Sequence, residues 1–284
     1  MDDKAKYTWE EAVRILRDAD EHRALIYNSY LTSDLVDNCR RFHASSEFEE
    51  TLRILNKHIS PGSNVLDIPA GNGIATYAFV KEGFAVTSVE PDPSDTVGRG
   101  AIEFVLNAEN MHDNVTIING YGENIPLANE TFDAVYVRQG LHHARDLQKM
   151  VNEINRVLKK GGVLIASREH VVNNYNGSLK AFLDSQPDHQ LYGGEFAYTH
   201  RDYKKALAIG GFTIISDMGP YDSIINMFPS SLEDFRHRIL ASVIGKALAR
   251  VLPTNMVCNM GIWCLKKLKR PGRLHTFVAL KQGD

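Results

Sequence analysis

Cysteine is scarce in this chain: three residues in 284, at Cys39, Cys258 and Cys264. That number and spacing give neither a disulfide framework nor a paired zinc-ligand motif, and they fit a reducing cytoplasm. No apolar run approaches the roughly 20 residues that a spanning helix needs. The first residues, MDDKAKYTWEEAVRIL, are acidic and amphipathic, so no signal peptide is read there. A P-loop, a serine nucleophile elbow and the kinase motifs are all missing. These absences exclude a disulfide-stapled secreted domain, a membrane-spanning protein, a P-loop nucleotide hydrolase and a serine hydrolase.

Acidic residues are missing from one long stretch. Between Phe235 and Gly283 there are ten Lys/Arg and no Asp or Glu, although the whole chain carries a net charge of −3. The remaining residues therefore hold 22 basic against 35 acidic groups, an acidic body with a basic end. Within that end, Leu232, Phe235, Ile239, Leu240, Val243, Ile244, Leu248 and Val251 recur at helical spacing up to Pro253. Trp263 then stands beside Lys266, Lys267, Lys269 and Arg270. Three readings stay open: a helical cap or oligomer interface, a peripheral contact with an anionic membrane surface, or a phosphate contact with nucleic acid. The first is favoured and nucleic acid least.

What is present is a repeating alternation of strand and helix. The apolar runs NVLDI, AVTSVE, VTIING, FDAVYV and VLIAS are separated by helical stretches between Asn64 and Ser167. Such alternation predicts a parallel sheet with helices on both faces. GFTIISDMG and RLHTFVALK add two more strands. The first strand runs into VLDIPAGNG, Val65 to Gly73, and the second ends in Glu90 about twenty residues on. Gly71 and Gly73 permit a tight turn with close approach to a ligand, and Glu90 stands where a carboxylate accepts from ribose hydroxyls. Pro69 replaces the first glycine of a dinucleotide fingerprint. Asp67 would repel a pyrophosphate but suits a sulfonium, which favours S-adenosylmethionine over NAD.

Together with GYGENIPLANETFDAVYVRQGLHHARDLQKMVNEINRVLKKGGVLIASREH, this motif resembles the class I S-adenosylmethionine-dependent methyltransferases, in particular the small-molecule group that includes the ubiquinone/menaquinone-biosynthesis type. The resemblance covers roughly Ser60 to Arg168. It implies a doubly wound, Rossmann-like α/β fold: a seven-stranded, mostly parallel sheet with an antiparallel last strand. An N-terminal helical cap would occupy residues 1–58. The methyltransferase domain would occupy 59–284, with insertions at about 171–205, a lid over the acceptor site, and at 220–272, the basic helical segment. By position, Asp67, Ala70, Gly71 and Gly73 would surround the methionine part of the cofactor, with Glu90 on the ribose and Asp92 nearby. In Gly120-Tyr121-Gly122-Glu123 a tyrosine stands where the family's adenine-binding aspartate is usual. Tyr121 and Gly122 would then meet the adenine, with Glu123 beside them. Arg138 and Gln139 would face the methionine tail. VRQG, at residues 137–140, replaces the Asn-Pro-Pro-Tyr that amino-directed nucleic-acid methyltransferases carry.

Methyl transfer from a sulfonium is an in-line displacement, so positioning and exclusion of water do much of the work. A general base is needed only for a poor nucleophile, and histidine suits that role. The candidates for the acceptor side are His142 and His143 after the fourth strand and Glu169 and His170 at the end of the fifth. Tyr192 and Glu195, with His189, come from the insertion. No metal site is expected, because His170, His189 and Glu195 fit no compact ligand spacing. The expected acceptor is a small or lipid-like molecule. The alternatives are a non-catalytic or modified-sulfonium relative of the same fold, or an RNA-modifying enzyme.

Overall fold

The structure, a computed structural model, describes residues 6–231, 262–263, 265 and 270–283. The chain opens with four helices, α1 (Trp9–Asp18), α2 (Arg23–Asn28), α3 (Leu35–His43) and α4 (Ser46–Leu55). α1 begins on a capping box: the Thr8 hydroxyl accepts from the Glu11 amide, and the Glu11 carboxylate accepts from the Thr8 amide. Ser45 caps α4, accepting from the Phe48 amide.

The alternating part follows as β1 (Asn64–Asp67), α5 (Ile74–Lys81), β2 (Ala85–Val89), α6 (Arg99–Glu109), β3 (Val115–Ile118), β4 (Phe132–Arg138), α7 (Leu147–Val157) and β5 (Leu158–Val172). Beyond β5 come α8 (Gly177–Asp184), α9 (Pro187–Tyr192), the two-residue β6 (Tyr198–Thr199), α10 (His200–Ile209), β7 (Phe212–Met218), α11 (Ile224–Met227) and β8 (Arg273–Lys281). The main sheet order is β3-β2-β1-β4-β5-β8-β7, with β6 pairing the far end of β5. β3, β2, β1, β4 and β5 are parallel, and β8 is antiparallel to both β5 and β7. This is the expected mostly parallel sheet with its last strand reversed. The central strands β1, β4 and β5 are buried on both faces, and the outer strands β3 and β7 are not. Along β4 and β5 the side chains alternate: Ala134, Tyr136, Val163 and Ile165 join the layer of α3 to α6, and Val135, Val137, Leu164 and Ala166 the layer of α7 and α10.

Every βα loop of the parallel strands emerges at one edge. Two departures from regularity shape that edge. β5 slips by one residue against β8 between Ala166 and Glu169, and Arg168 there takes φ +59°. The bulge sends consecutive side chains to different partners. Arg168 donates to the carbonyls of Ile225 and Phe228 in and after α11, while Glu169 turns to the loop after β4. The second is a charged cluster on the inner side of the N-terminal helices. Glu47, in the first turn of α4, is fully buried and accepts from Arg138 at the end of β4 (2.7 and 3.2 Å), with Arg168 at 3.7 Å. Burial opposes ionisation of Glu47, but the two guanidiniums outweigh it and hold its pKa below the usual value.

The segment 232–261, on which the expected amphipathic basic helix falls, lies outside the described residues, as do Lys266, Lys267 and Lys269. Among the described residues no helix is long and apolar enough to cross a membrane.

Removing Glu47 strands two buried cations. Glu47→Ala is expected to lose roughly 3–5 kcal/mol of unfolding free energy in urea. A loss below about 1 kcal/mol, the range of an exposed pair, would contradict this account. Because the folded pKa is depressed, the contribution is complete above the ordinary glutamate pKa and disappears as pH falls through the folded value.

Candidate functional site

The turn after β1 is built by two glycines with positive φ, Gly71 at +54° and Gly73 at +82°. A Cβ on Gly73 would meet Ile102 at 3.0 Å, whereas a Cβ on Gly71 would meet open space. The turn is held from β2. Glu90, 6% exposed, accepts from the Gly71 amide (2.7 Å) and from the Asp92 amide (2.9 Å). Burial raises the Glu90 pKa, and those two amide bonds act against it. Ala70 donates its amide to the Val89 carbonyl. Asp92 in turn accepts from the Ser94 amide at 2.8 Å.

Asp67 plays a different part from the one expected. Its carboxylate is buried and accepts from the Thr76 hydroxyl at 2.7 Å, and Thr76 also meets Ser88 at 2.6 Å. Asp67 thus ties β1 to α5 and β2 beneath the turn. Burial pushes its pKa up to about 7, so it is a poor fixed charge for a sulfonium. Arg138 departs from expectation too. Its guanidinium is committed to Glu47 and to the Gln139 side chain, because a buried carboxylate in α4 requires a cation. Two residues escaped the sequence reading. Asn72 donates to the Tyr30 carbonyl (2.7 Å), locking the turn to the N-terminal helices. Arg99 donates to the carbonyls of Glu90 and Pro91 and to the Asn119 side chain, joining the loops after β2 and β3.

Tyr121 lies at the same edge and is 66% exposed. Gly122 packs so close to Met150 that a Cβ would sit 2.7 Å from its sulfur. Glu123 turns the other way and accepts from the Arg145 amide at 2.8 Å. Tyr192, at the end of α9, packs its ring 5.7 Å from Trp9 of α1. Its pKa is raised by burial first and then by Asp92 and Glu90, which places it on the β2 side of the edge.

The loop after β4 carries a histidine cluster. The Glu169 carboxylate, fully buried, accepts from the amides of Gly140 (3.0 Å), Leu141 (3.1 Å) and His142 (3.0 Å), and pairs with His142 Nδ1 at 2.8 Å. Expected to contact an acceptor, Glu169 has its bonding capacity taken by the protein; it positions the loop. His142 Nε2 lies 3.6 Å from Glu195 Oε2, and His143 Nε2 3.7 Å from Glu195 Oε1. Burial alone would lower the His142 pKa, but Glu169 and Glu195 overcome it and push it up to about 10. His143, partly open to solvent, is lowered by the desolvation of its packed side, where its ring lies 4.2 Å from that of His142, and by the charge of His142. His170 is driven down to about 4 by the same two causes; its Nδ1 faces the Gly272 carbonyl at 2.9 Å and its ring lies 4.8 Å from that of Phe182. The structure therefore places His142, His143, His170 and Glu195 close together, while Tyr192 packs against Trp9 of α1.

Comparison with known proteins agrees with this geometry. Residues 66–166 match the family described as a methyltransferase domain. A methyltransferase of uncharacterised specificity from Synechocystis sp. is 30% identical over 126 residues, 44% of this chain and 55% of the relative. A demethylmenaquinone methyltransferase of Corynebacterium kroppenstedtii is 33% identical over 104 residues, 37% of this chain and 41% of the relative. The chain thus spans about half the length of these relatives or less. Among solved structures, the geranyl diphosphate C-methyltransferase of Streptomyces coelicolor, bound to S-adenosyl-L-homocysteine, superposes with a TM-score of 0.57 at 15% identity, covering 82% of this chain and 76% of that one. The [4+2]-cyclase SpnF gives 0.56 at 16% identity, covering 83% and 81%. At such identities these structures share the fold, which hosts more than one chemistry. The strand order and the glycine turn held by a carboxylate just beyond β2 agree with that match: residues 66–166 are similar to a methyltransferase domain, and the chain shares its fold with solved methyltransferases.

Proposed function

We propose that the protein transfers a methyl group from S-adenosylmethionine to a small-molecule acceptor. The observation that carries this is the Gly71–Glu90 pair at the carboxyl edge of the sheet. The open side of Gly71 leaves room for a ligand at the turn, and Glu90 keeps a lone pair on each oxygen beyond its two amide bonds. Both features fit an adenosyl group.

When bound, the cofactor supplies an electrophilic methyl on sulfur, whose departure leaves a neutral thioether. Glu90 accepts from the ribose hydroxyls, with Asp92 beside it. Ala70, Gly71 and Gly73 line the methionine portion, and the exposed Tyr121 ring offers a face to the adenine next to the Gly122 backbone. Asp67 and Arg138 support these loops from beneath. α9 and the loop to Glu195 reach from the glycine turn to the histidine cluster and exclude water from the space between. His142, flanked by Glu169 and Glu195, carries a proton at neutral pH in the metal-free protein. In that state it is no base. Neutral His170 and His143 line the same wall.

Calorimetry with S-adenosylhomocysteine should show one site in the wild-type protein. Glu90→Ala is expected to weaken it by about 10–100-fold through loss of charge-assisted hydrogen bonds. Absence of binding to the wild type would remove the reading. In protein dialysed against a chelator, imidazole NMR should show His142 protonated through pH 8 and titrating near pH 10. Glu169→Gln should bring that titration down. A His142 that titrates near the ordinary histidine value would contradict the placement of the two carboxylates. Because the folded pKa is raised, the stability that His142 contributes is present below the unfolded histidine pKa and is lost as pH climbs through the folded value.

A further inference from the structure

His142 and His143 sit on the turn after β4, and Glu195 follows α9 more than fifty residues later. Their ligand atoms all lie within 4.8 Å of one another. We propose that His142, His143 and Glu195 form a binding site for one divalent transition-metal ion of the zinc or iron(II) class, with the remaining coordination positions open.

Three observations carry this. Both imidazoles are fixed at Nδ1 by an oxygen that can only accept, the Glu169 carboxylate for His142 (2.8 Å) and the Gly194 carbonyl for His143 (3.2 Å). Each Nδ1 therefore holds the hydrogen, and Nε2 is the atom that faces Glu195. Such carboxylate or carbonyl support behind a ligating histidine is the usual outer shell of a metal site. The separations of 3.6 and 3.7 Å between Nε2 and the Glu195 oxygens are longer than hydrogen bonds. They are close to the spacing of neighbouring ligands held at about 2.0–2.2 Å from a single ion. The surroundings also call for a cation. The Glu169 side chain is fully buried and that of Glu195 is 11% exposed, so two carboxylates face this pair of imidazoles. A dication between Nε2 of His142 and Glu195 takes the place of the proton there and balances the acids without needing a hydrogen bond.

Two histidines and one carboxylate are a donor set for zinc or iron(II), and three protein ligands leave room for an exogenous one. His143 is 39% exposed and gives the ion an entry from solvent. Resting on the methyl-transfer reading, the open position would take a hydroxyl or carbonyl oxygen of the acceptor, which selects oxygen-bearing acceptors over purely hydrocarbon ones. The metal would also pin the α9 lid to the β4 loop through Glu195.

The test uses the full chain stripped with a chelator and titrated with Co(II), read by its visible absorption bands, with Zn(II) as competitor. One equivalent should bind, and Zn(II) should displace it. His143→Ala and Glu195→Gln, each checked for a native circular dichroism spectrum, should abolish stoichiometric uptake. Glu169→Gln should weaken it by about 10–100-fold. A wild-type protein without Co(II) bands, or variants that bind as tightly as the wild type, would overturn the site. S-adenosylhomocysteine binding is measured in parallel on stripped protein. Its absence beside intact, variant-sensitive Co(II) uptake would sink the methyl-transfer reading and leave the metal site standing.

Discussion

The functional edge of this molecule depends on one kind of interaction: a carboxylate at the end of one strand accepting backbone N–H groups from the loop after the neighbouring strand. Glu90, just beyond β2, holds Gly71 in the loop after β1. Glu169, in β5, holds Gly140, Leu141 and His142 in the loop after β4. Loops need partners for their backbone groups, and a buried carboxylate needs donors, so each requirement satisfies the other. The arrangement fixes two loops against the rigid sheet and sets the distance between the glycine turn and the histidine cluster. Glu47 works on the same principle with guanidinium donors, fastening the N-terminal helices to the ends of β4 and β5.

Elements with a period were legible in the sequence. The apolar runs of β1 to β5 alternate with helices, so the parallel sheet follows from pattern alone, and the reversed β8 follows from the family resemblance. Thr8 with Glu11 announces the start of α1, and Gly71 and Gly73 announce the turn. Glu90 was found because it is a lone acid at a strand end at the right spacing. Partnerships that depend on three-dimensional closure were hidden. Glu47 reads as one more acid in an amphipathic helix, with no sign that it would neutralise Arg138. Asp67 has the sequence position of a cofactor contact, yet Thr76, two turns on, captures it beneath the loop. The bulge at Arg168 has no local signature, since neither glycine nor proline marks it. That single extra residue reverses the alternation, so Arg168 falls on the side of Val163 and Ile165 rather than on that of Leu164 and Ala166.

The histidine cluster shows the same limit on a functional feature. Adjacent His142 and His143 are visible in the sequence, and so is Glu195, but no spacing rule joins them. The segment after β5 closes that gap: β6 pairs with the far end of β5, and α9 packs on α1, returning Glu195 to the β4 loop. The trio that the sequence reading set aside as a metal site, His170, His189 and Glu195, is not the set the fold brings together among the described residues. His170 instead faces the Gly272 carbonyl, and burial beside His142 keeps it neutral.

The most direct test of the central claim is a crystal structure of the protein with S-adenosylhomocysteine. The account predicts the ribose hydroxyls within hydrogen-bonding distance of Glu90, the ligand backbone against Gly71, and the sulfur turned toward the histidine cluster. A nucleoside bound elsewhere, or a Glu90 carboxylate that keeps only its two amide partners, would contradict it.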